Sequence, residues 1–301
     1  MRQREFYQAQ SGEDALQENQ NYLRIFGKQN LSEPSGMPLT IAVSSGKGGT
    51  GKTNVVANLG FAFTRFKKKV LILDGNLGLS NIGGLLGLAG SYNVEHILNN
   101  QKTIVEVLLN GPGAMLILPA SPGNEKLINP SADEKIILLE ELGQIAHYID
   151  VLLIDTAAGI SQNVMFFNWV AGESIVVTTS ELTSISAAYT LIKIMATKYR
   201  KTKFKVLVNF AKTEQESKEV FKIIINLADA YLDSLSLDYL GFIPFDEKLK
   251  QAVERQQLVA EIYPQAPSSQ QFGKIASYFI NIQEQAIGNP LAAQDAPAAN
   301  N

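Results

Sequence analysis

The amino-acid sequence predicts an α/β fold, a doubly wound, mostly parallel sheet flanked by helices. Short apolar runs alternate with helical stretches along most of the 301 residues. The run at 151–154, Val-Leu-Leu-Ile, is apolar at every position, which is typical of a strand covered on both faces. A glycine-rich segment at 45–53 joins one apolar run to a helical stretch, the strand–loop–helix order of a parallel α/β unit.

The elements follow in chain order. Strands are expected near 39–44, 69–73, 115–118, 151–154, 174–178, 204–208 and 236–241, because each is a short run dominated by apolar residues. Helices are expected near 53–66, 93–99, 133–147, 162–169, 183–199, 214–231 and 268–286. Residues 1–37 are interpreted as a polar extension and linker, 38–286 as one nucleotide-binding domain, and 287–301 as a disordered tail.

Composition excludes several functional classes. The net charge of −3 argues against a surface that coats nucleic acid, so direct nucleic-acid binding is not expected. The sequence has no cysteine, which rules out disulfides, thiolate zinc sites and cysteine-ligated iron–sulfur clusters. There is no run of 18 apolar residues and no apolar signal core, so a cytoplasmic protein is expected, with a polar or peripheral membrane position left open.

The glycine-rich loop carries the clearest chemistry. Its spacing fits G-x-x-x-x-G-K-[ST], in which backbone N–H groups and a helix N-terminus converge on a polyphosphate. Lys52 is expected to reach the β- and γ-phosphates, and the Thr53 hydroxyl to ligate Mg²⁺. A plain strand-to-helix turn is the alternative, but two lysines packed in such a turn need an anion nearby. The predicted nucleotide-binding residues of the loop are Gly46, Lys47, Gly48, Gly49, Thr50, Gly51, Lys52 and Thr53.

Two apolar strands end in a carboxylate. Asp155 follows the run at 151–154 and is expected to hold Mg²⁺ through water, although an aspartate there can instead cap the following helix. Asp74 follows the run at 70–73 and is a second candidate ligand for Mg²⁺. The predicted cofactors are therefore ATP or ADP with Mg²⁺.

The loop Gly46-Lys47-Gly48-Gly49-Thr50-Gly51-Lys52-Thr53 resembles the deviant Walker A motif of the MinD/ParA family. In that family the extra lysine, here Lys47, reaches the phosphates bound to the partner subunit of a nucleotide-sandwich dimer. The segment from Asp74 to Leu88 is similar to D-x-D-L-G-L-x-N followed by L-L-G-L in the flagellar-number branch, named FlhG or FleN. The resemblance implies a homodimer when ATP is bound.

One departure falls on the chemistry. The second aspartate of that motif, which orients the attacking water in the family, is Asn76 here. An amide can hold a water molecule but does not accept its proton. The candidate catalytic residues are Lys47, Asp74 and Asn76, and whether the chain hydrolyses ATP is left open.

Further blocks extend the resemblance to residues 38–280. The segment Thr156-Ala157-Ala158-Gly159 resembles switch II of the family, in which a glycine N–H turns toward the γ-phosphate. Asn209 matches the asparagine that hydrogen-bonds the adenine edge, although asparagine at a strand end is more often a turn residue. Pro244 and Phe245 lie in a segment that resembles the loop over the base.

The resemblance implies an ATP-dependent switch that regulates the number or placement of flagella. Its partners in that branch are a signal-recognition-type flagellar GTPase and a flagellar transcriptional activator. At the N-terminus, Gln8 and Ala9 keep part of the branch's GTPase-binding motif, but an unstructured tail fits equally well.

Two alternatives remain, a hydrolysis-impaired scaffold, favoured by Asn76, and a division-site or cargo-positioning ATPase. Against the latter, the 268–286 helix has a single basic residue, Lys274, so weak or no membrane binding is expected.

Overall fold

The predicted alternation of strands and helices is present in the structure, a computed structural model that describes residues 37–232 and 235–288. The predictions for residues 1–36 and for the tail after 288 lie outside these ranges. The described strands are β1 (Leu39–Ser45), β2 (Val70–Gly75), β3 (Leu109–Asn110), β4 (Leu116–Leu118), β5 (Val151–Ala158), β6 (Glu173–Thr178), β7 (Lys203–Ala211) and β8 (Ser236–Pro244). The described α-helices are α1 (Lys52–Arg65), α2 (Ile82–Leu86), α3 (Val94–Leu98), α4 (Ile104–Val107), α5 (Ala132–Ile145), α6 (Gln162–Val170), α7 (Leu182–Tyr199), α8 (Glu214–Tyr231), α9 (Glu247–Glu254), α10 (Val259–Ile262) and α11 (Pro267–Gly288).

The strands form one sheet in the order β3-β4-β2-β5-β1-β6-β7-β8. All neighbouring strands of this sheet run parallel except β3, which pairs antiparallel with β4. The fold class predicted from the sequence is therefore confirmed. The loops after β1, β2 and β5 meet at one edge, because the carboxyl ends of parallel strands lie together.

Alternate strand residues face two different helical layers. Ile72 of β2 packs with α1 and α11 on one face, whereas Leu71 and Leu73 pack with α3, α5 and α6 on the other. A third cluster joins α6, α7 and α8 to β6 and β7. The run at 151–154 is at most 2% exposed, as expected for a strand covered on both sides.

Several elements differ from their predicted bounds. The strand predictions at 151–154, 204–208 and 236–241 stop short of the observed ends, because β5 continues past Asp155, β7 past Asn209 and β8 past Gly241, where the apolar run is interrupted. The short elements α2, α4, α9, α10 and β3 were not predicted, because segments of two to eight residues are too short to establish a hydrophobic period.

Helix α11 carries its apolar stripe into the core, in agreement with the preferred interpretation of that segment. Phe272, Ile275 and Phe279 are between 0% and 4% exposed, and Phe279 lies against Phe63 of α1 with ring centroids 6.4 Å apart. Within the part of the chain that the structure describes, no helix has the length and apolar character needed to cross a membrane.

Candidate nucleotide-binding site

The glycine-rich loop runs from the end of β1 at Ser45 to the start of α1 at Lys52. Two of its glycines have a left-handed backbone, with φ of 79° at both Gly49 and Gly51. A Cβ on Gly46 would lie 2.0 Å from the Ala187 carbonyl oxygen, so the loop approaches α7 more closely than any side chain allows. The glycines therefore set the curvature that exposes the N-terminus of α1 to a ligand.

Lys52 and Asp155 form a buried ion pair behind the loop. The Lys52 Nζ donates to Asp155 Oδ1 at 2.8 Å, and their side chains are 7% and 0% exposed. Asp155 Oδ2 and Thr50 Oγ1 are buried without a hydrogen-bond partner. Buried polar atoms are normally satisfied, so these two orphaned oxygens indicate a site that a polar ligand completes.

Asp74 lies directly beside Asp155, its partner in the pairing of β2 and β5. Its carboxylate accepts hydrogen bonds from the backbone N–H groups of Asn76, Asn81 and Ile82 at 3.3, 2.7 and 3.2 Å. Burial, followed by the charge of Asp155, raises the pKa of Asp74 to about 6. A divalent cation next to the two carboxylates would relieve this repulsion.

A cleft of about 760 Å³ opens in front of the loop. Thr53 lies on its wall, and the cleft is also lined by Asn76, which directly follows β2, and by Ala157 near the end of β5. The structure thus brings together the predicted metal ligand Thr53, the residue predicted at the water position, Asn76, and the predicted switch II segment. Asn76 is half-buried and faces the cleft, where a water molecule can reach it.

Lys47 is placed apart from Lys52. It does not line the main cleft, and its Nζ donates to the Glu181 carboxylate and to Thr183 Oγ1, the latter at 2.9 Å. The lysine side chain is 41% exposed and that of Glu181 66%. The hydrogen bond to Lys47 holds the pKa of Glu181 below its usual range. This pair was not predicted from the sequence, because no local spacing pattern relates two residues that are 134 positions apart.

The predicted base-binding residues surround the other end of the cleft. Asn209 lines it, but its Nδ2 donates to the Thr50 carbonyl at 2.8 Å and its Oδ1 accepts from the Phe210 N–H at 3.0 Å. Pro244 and Phe245 line an adjoining cavity of about 250 Å³. That Asn209 contacts adenine stays a prediction, because both ends of its side chain are already bonded within the protein.

The switch II glycine is tied back to the loop. The Gly159 N–H donates to the Ser45 carbonyl at 2.9 Å, and its φ is 94°. No atom lies within 4 Å of a Cβ built on this residue. The peptide therefore has both the space and the backbone freedom to turn toward a bound phosphate.

These residues fit a magnesium nucleotide. Among the described residues there is no group of three histidine or acidic side chains that could hold a metal unaided. Mg²⁺ is commonly bound by one or two carboxylates together with substrate phosphates. Thr53, Asp74 and Asp155 would hold the metal, and Lys52 with the loop N–H groups would hold the phosphates. The bound ion would supply neutralising charge at the β- and γ-phosphates.

Comparison with known proteins agrees with this site. A ParA family model, described as "NUBPL iron-transfer P-loop NTPase", matches residues 37–280. The chain belongs to the ParA/MinD family of P-loop NTPases. The cofactors of that family are a nucleotide and Mg²⁺, as predicted. The description mentions iron transfer, but this sequence has no cysteine and therefore no thiolate that could bind iron.

Two relatives cover most of the chain. The antiactivator FleN of Pseudomonas aeruginosa is 38% identical over 78% of this chain and 84% of its own length. The flagellum site-determining protein YlxH of Helicobacter pylori is 26% identical over 87% of this chain and 88% of its own. A MinD structure from Pyrococcus horikoshii in complex with Mg-ADP superimposes with a TM-score of 0.67 at 23% identity, covering 81% of this chain and 96% of that one. The resemblance to the flagellar branch of the family is confirmed.

Proposed function

We propose that this protein is an ATP-dependent dimerising switch that regulates the number or placement of flagella. The observation that carries the proposal is the arrangement of two lysines in one loop. Lys52 is buried and points at the metal-side Asp155, whereas Lys47 is exposed and lies outside the main cleft. Because the two lysine ammonium groups lie in separate places, one can bind phosphates within the chain and the other can bind phosphates on a second molecule.

Three residues of the site each have a part in the proposed switch. Lys52 would exchange its hydrogen bond with Asp155 for hydrogen bonds to the phosphates, which would leave the Asp155 carboxylate free to hold the metal. The Gly159 N–H leaves the Ser45 carbonyl for the γ-phosphate, so the segment after β5 changes with the state of the nucleotide. Lys47 leaves Glu181 and bonds the phosphate held by the partner subunit.

The flagellar role rests on the relatives. FleN is named an antiactivator and YlxH a flagellum site-determining protein, and both align with more than three quarters of this chain. The partners proposed from this branch are a flagellar transcriptional activator and a signal-recognition-type flagellar GTPase. The transcriptional activator is the partner suggested by the name of FleN, because an antiactivator has to bind an activator.

A hydrolysis-impaired scaffold is the second candidate, and Asn76 favours it. A division-site or cargo-positioning role has the support of MinD relatives, such as that of Synechocystis at 34% identity over 69% of this chain. The core packing of α11 counts against membrane positioning by that helix.

The test is deletion of the gene in its own bacterium, followed by electron microscopy of the flagella on each cell. We expect more or misplaced flagella, restored to normal by the parent gene and not by Lys52→Ala. Lys203→Ala, an exposed lysine on β7, is the matched control and should restore the count. Normal flagella in the deletion strain would refute the flagellar role, and a division defect there would favour the positioning alternative.

A further inference from the structure

Phe210 has a backbone conformation that an aromatic residue rarely adopts. Its φ is +59°, in the left-handed region. Asn209 pairs with Ile243 and Ala211 with Pro244, so Phe210 is an extra residue in β7 with no partner on β8. The residue is thus a β-bulge of the kind in which glycine is normal. A bulky residue in this conformation is costly, and such strain concentrates at sites where ligands bind.

The bulge turns the Phe210 side chain toward the ligand site. The side chain lines the main cleft of about 760 Å³ and also the adjoining cavity of about 250 Å³. It is 38% exposed although it lies in a strand whose residues are otherwise mostly buried. Leu249 and Val253 of α9 are also common to the walls of both spaces. A molecule extending from the loop into the smaller cavity therefore passes the Phe210 ring.

The position of the ring is fixed from two sides. The Asn209 Oδ1 accepts a hydrogen bond from the Phe210 N–H, and the Asn209 Nδ2 donates one to the Thr50 carbonyl. These two bonds tie the bulge to the loop. On the other side, the Phe245 N–H donates to the Ala211 carbonyl at 3.0 Å. A Cβ on Gly51 would lie 3.0 Å from Phe210 Cζ, so the ring is set against the loop itself.

We propose that the Phe210 ring is the surface on which the nucleotide base stacks, and that Asn209 positions that ring. The proposal rests on the proposed function and adds a base-binding residue to the same site. Aromatic stacking suits any flat base and favours the larger purine rings. The adjoining cavity, lined by Pro244, Phe245, Leu249 and Val253, supplies the apolar surroundings for the second face of the base.

The test separates the base from the phosphates. Binding of ATP and of inorganic tripolyphosphate, each with Mg²⁺, is measured by calorimetry for the parent and for Phe210→Gly. Glycine suits the left-handed conformation, so the variant should be at least as stable to heat as the parent. Loss of a stacked base should weaken ATP binding by about 5- to 150-fold, while tripolyphosphate binding stays within about twofold. Phe66→Ala, a similarly exposed phenylalanine outside both cavities, should change neither affinity.

A second variant reports stacking directly. In Phe210→Trp the indole fluorescence should fall when ATP is added and stay constant with tripolyphosphate, with the parent's Trp169 as background. Unchanged ATP affinity in Phe210→Gly would overturn the stacking proposal. An equal loss for both ligands would also overturn it, because Phe210 would then only support the loop. A parent protein that binds neither ligand would instead refute the proposed function.

Discussion

The buried pair of Lys52 and Asp155 links stability to ligand binding. In the ligand-free chain each charge compensates the other at 2.8 Å, with almost no access to water. Removing one partner of a buried pair leaves an uncompensated charge, which typically costs about 3–5 kcal/mol. We therefore expect Lys52, the residue predicted to hold the phosphates, also to stabilise the fold in the absence of nucleotide.

Lys52→Ala should lower the free energy of unfolding of the ligand-free chain by about 3–5 kcal/mol and should abolish nucleotide binding. Adding Asp155→Asn to that variant removes the stranded charge and should recover part of the lost stability, without restoring binding. Urea denaturation and a fluorescent-nucleotide titration measure the two quantities. Full additivity of the two substitutions would show that the pair contributes nothing.

We expect Asn76 to limit the rate of ATP hydrolysis. Phosphoryl transfer depends on positioning and on charge, so an amide at the water position should permit binding and slow the reaction. Asn76→Asp, which is nearly isosteric, should raise turnover by about 10²–10⁴-fold with little change in ATP affinity. Steady-state phosphate release measures it. If the parent turns over ATP as fast as the variant, Asn76 is not at the water position, and the scaffold alternative fails.

Asp74 gives the ligand-free chain a dependence on pH. Because burial and Asp155 raise the pKa of Asp74 to about 6 from 3.8, the folded state favours the protonated form. Its contribution to stability is complete below pH 3.8 and is lost as the pH rises through 6. From pH 5 to pH 7.5, Asp74→Asn should therefore gain stability relative to the parent by roughly 1.4 kcal/mol. A constant difference across that range in urea denaturation would contradict the raised pKa.

At the scale of the elements, the terminal helix decides between core and membrane. The stripe that makes 268–286 resemble an interfacial helix is buried against α1, where Phe272 is 0% exposed. A stripe already used in the core is not free to enter a bilayer, and Lys274 alone offers little attraction to anionic lipid.

The fraction of the protein that sediments should therefore be the same with anionic liposomes as without them, in the presence of either ATP or ADP. Flotation or sedimentation of the full chain, with Mg²⁺ present, makes the measurement. Strong co-sedimentation that depends on ATP would contradict the prediction and favour the positioning alternative.

The long helices and strands and the glycine-rich loop could be predicted from the sequence, because both depend on local residue patterns. The run at 151–154 and the spacing of the loop are each readable within about ten residues. The pairing of Lys47 with Glu181 was not predictable, since it joins residues far apart whose contact depends on how α7 packs beside the loop. The bulge at Phe210 was also missed, because a strand pattern does not show which residue will lack a partner.

At the scale of the whole molecule, we expect the loop edge of the sheet to be the surface that changes with the bound nucleotide. Exposed apolar side chains lie along it, with Leu79 62% exposed and Leu182 78% exposed. Lys47 and Glu181 lie on this edge too, so in the proposed dimer we expect their separation and the burial of apolar surface to occur together. Proteins of the family form ATP-dependent dimers, and this edge fits the same use.

Dimerisation driven by ATP is measured as the mass of the protein in solution by light scattering after gel filtration, with Mg²⁺ and either ATP or ADP. We expect 32.8 kDa with ADP and twice that mass with ATP. Lys47→Ala should stay at the lower mass with ATP while its nucleotide affinity is largely unchanged, because Lys52 and the loop N–H groups bind within one chain. An ATP-dependent dimer that persists in Lys47→Ala would contradict the role of Lys47 across the interface, and a parent protein that stays monomeric with bound ATP would contradict the dimerising switch.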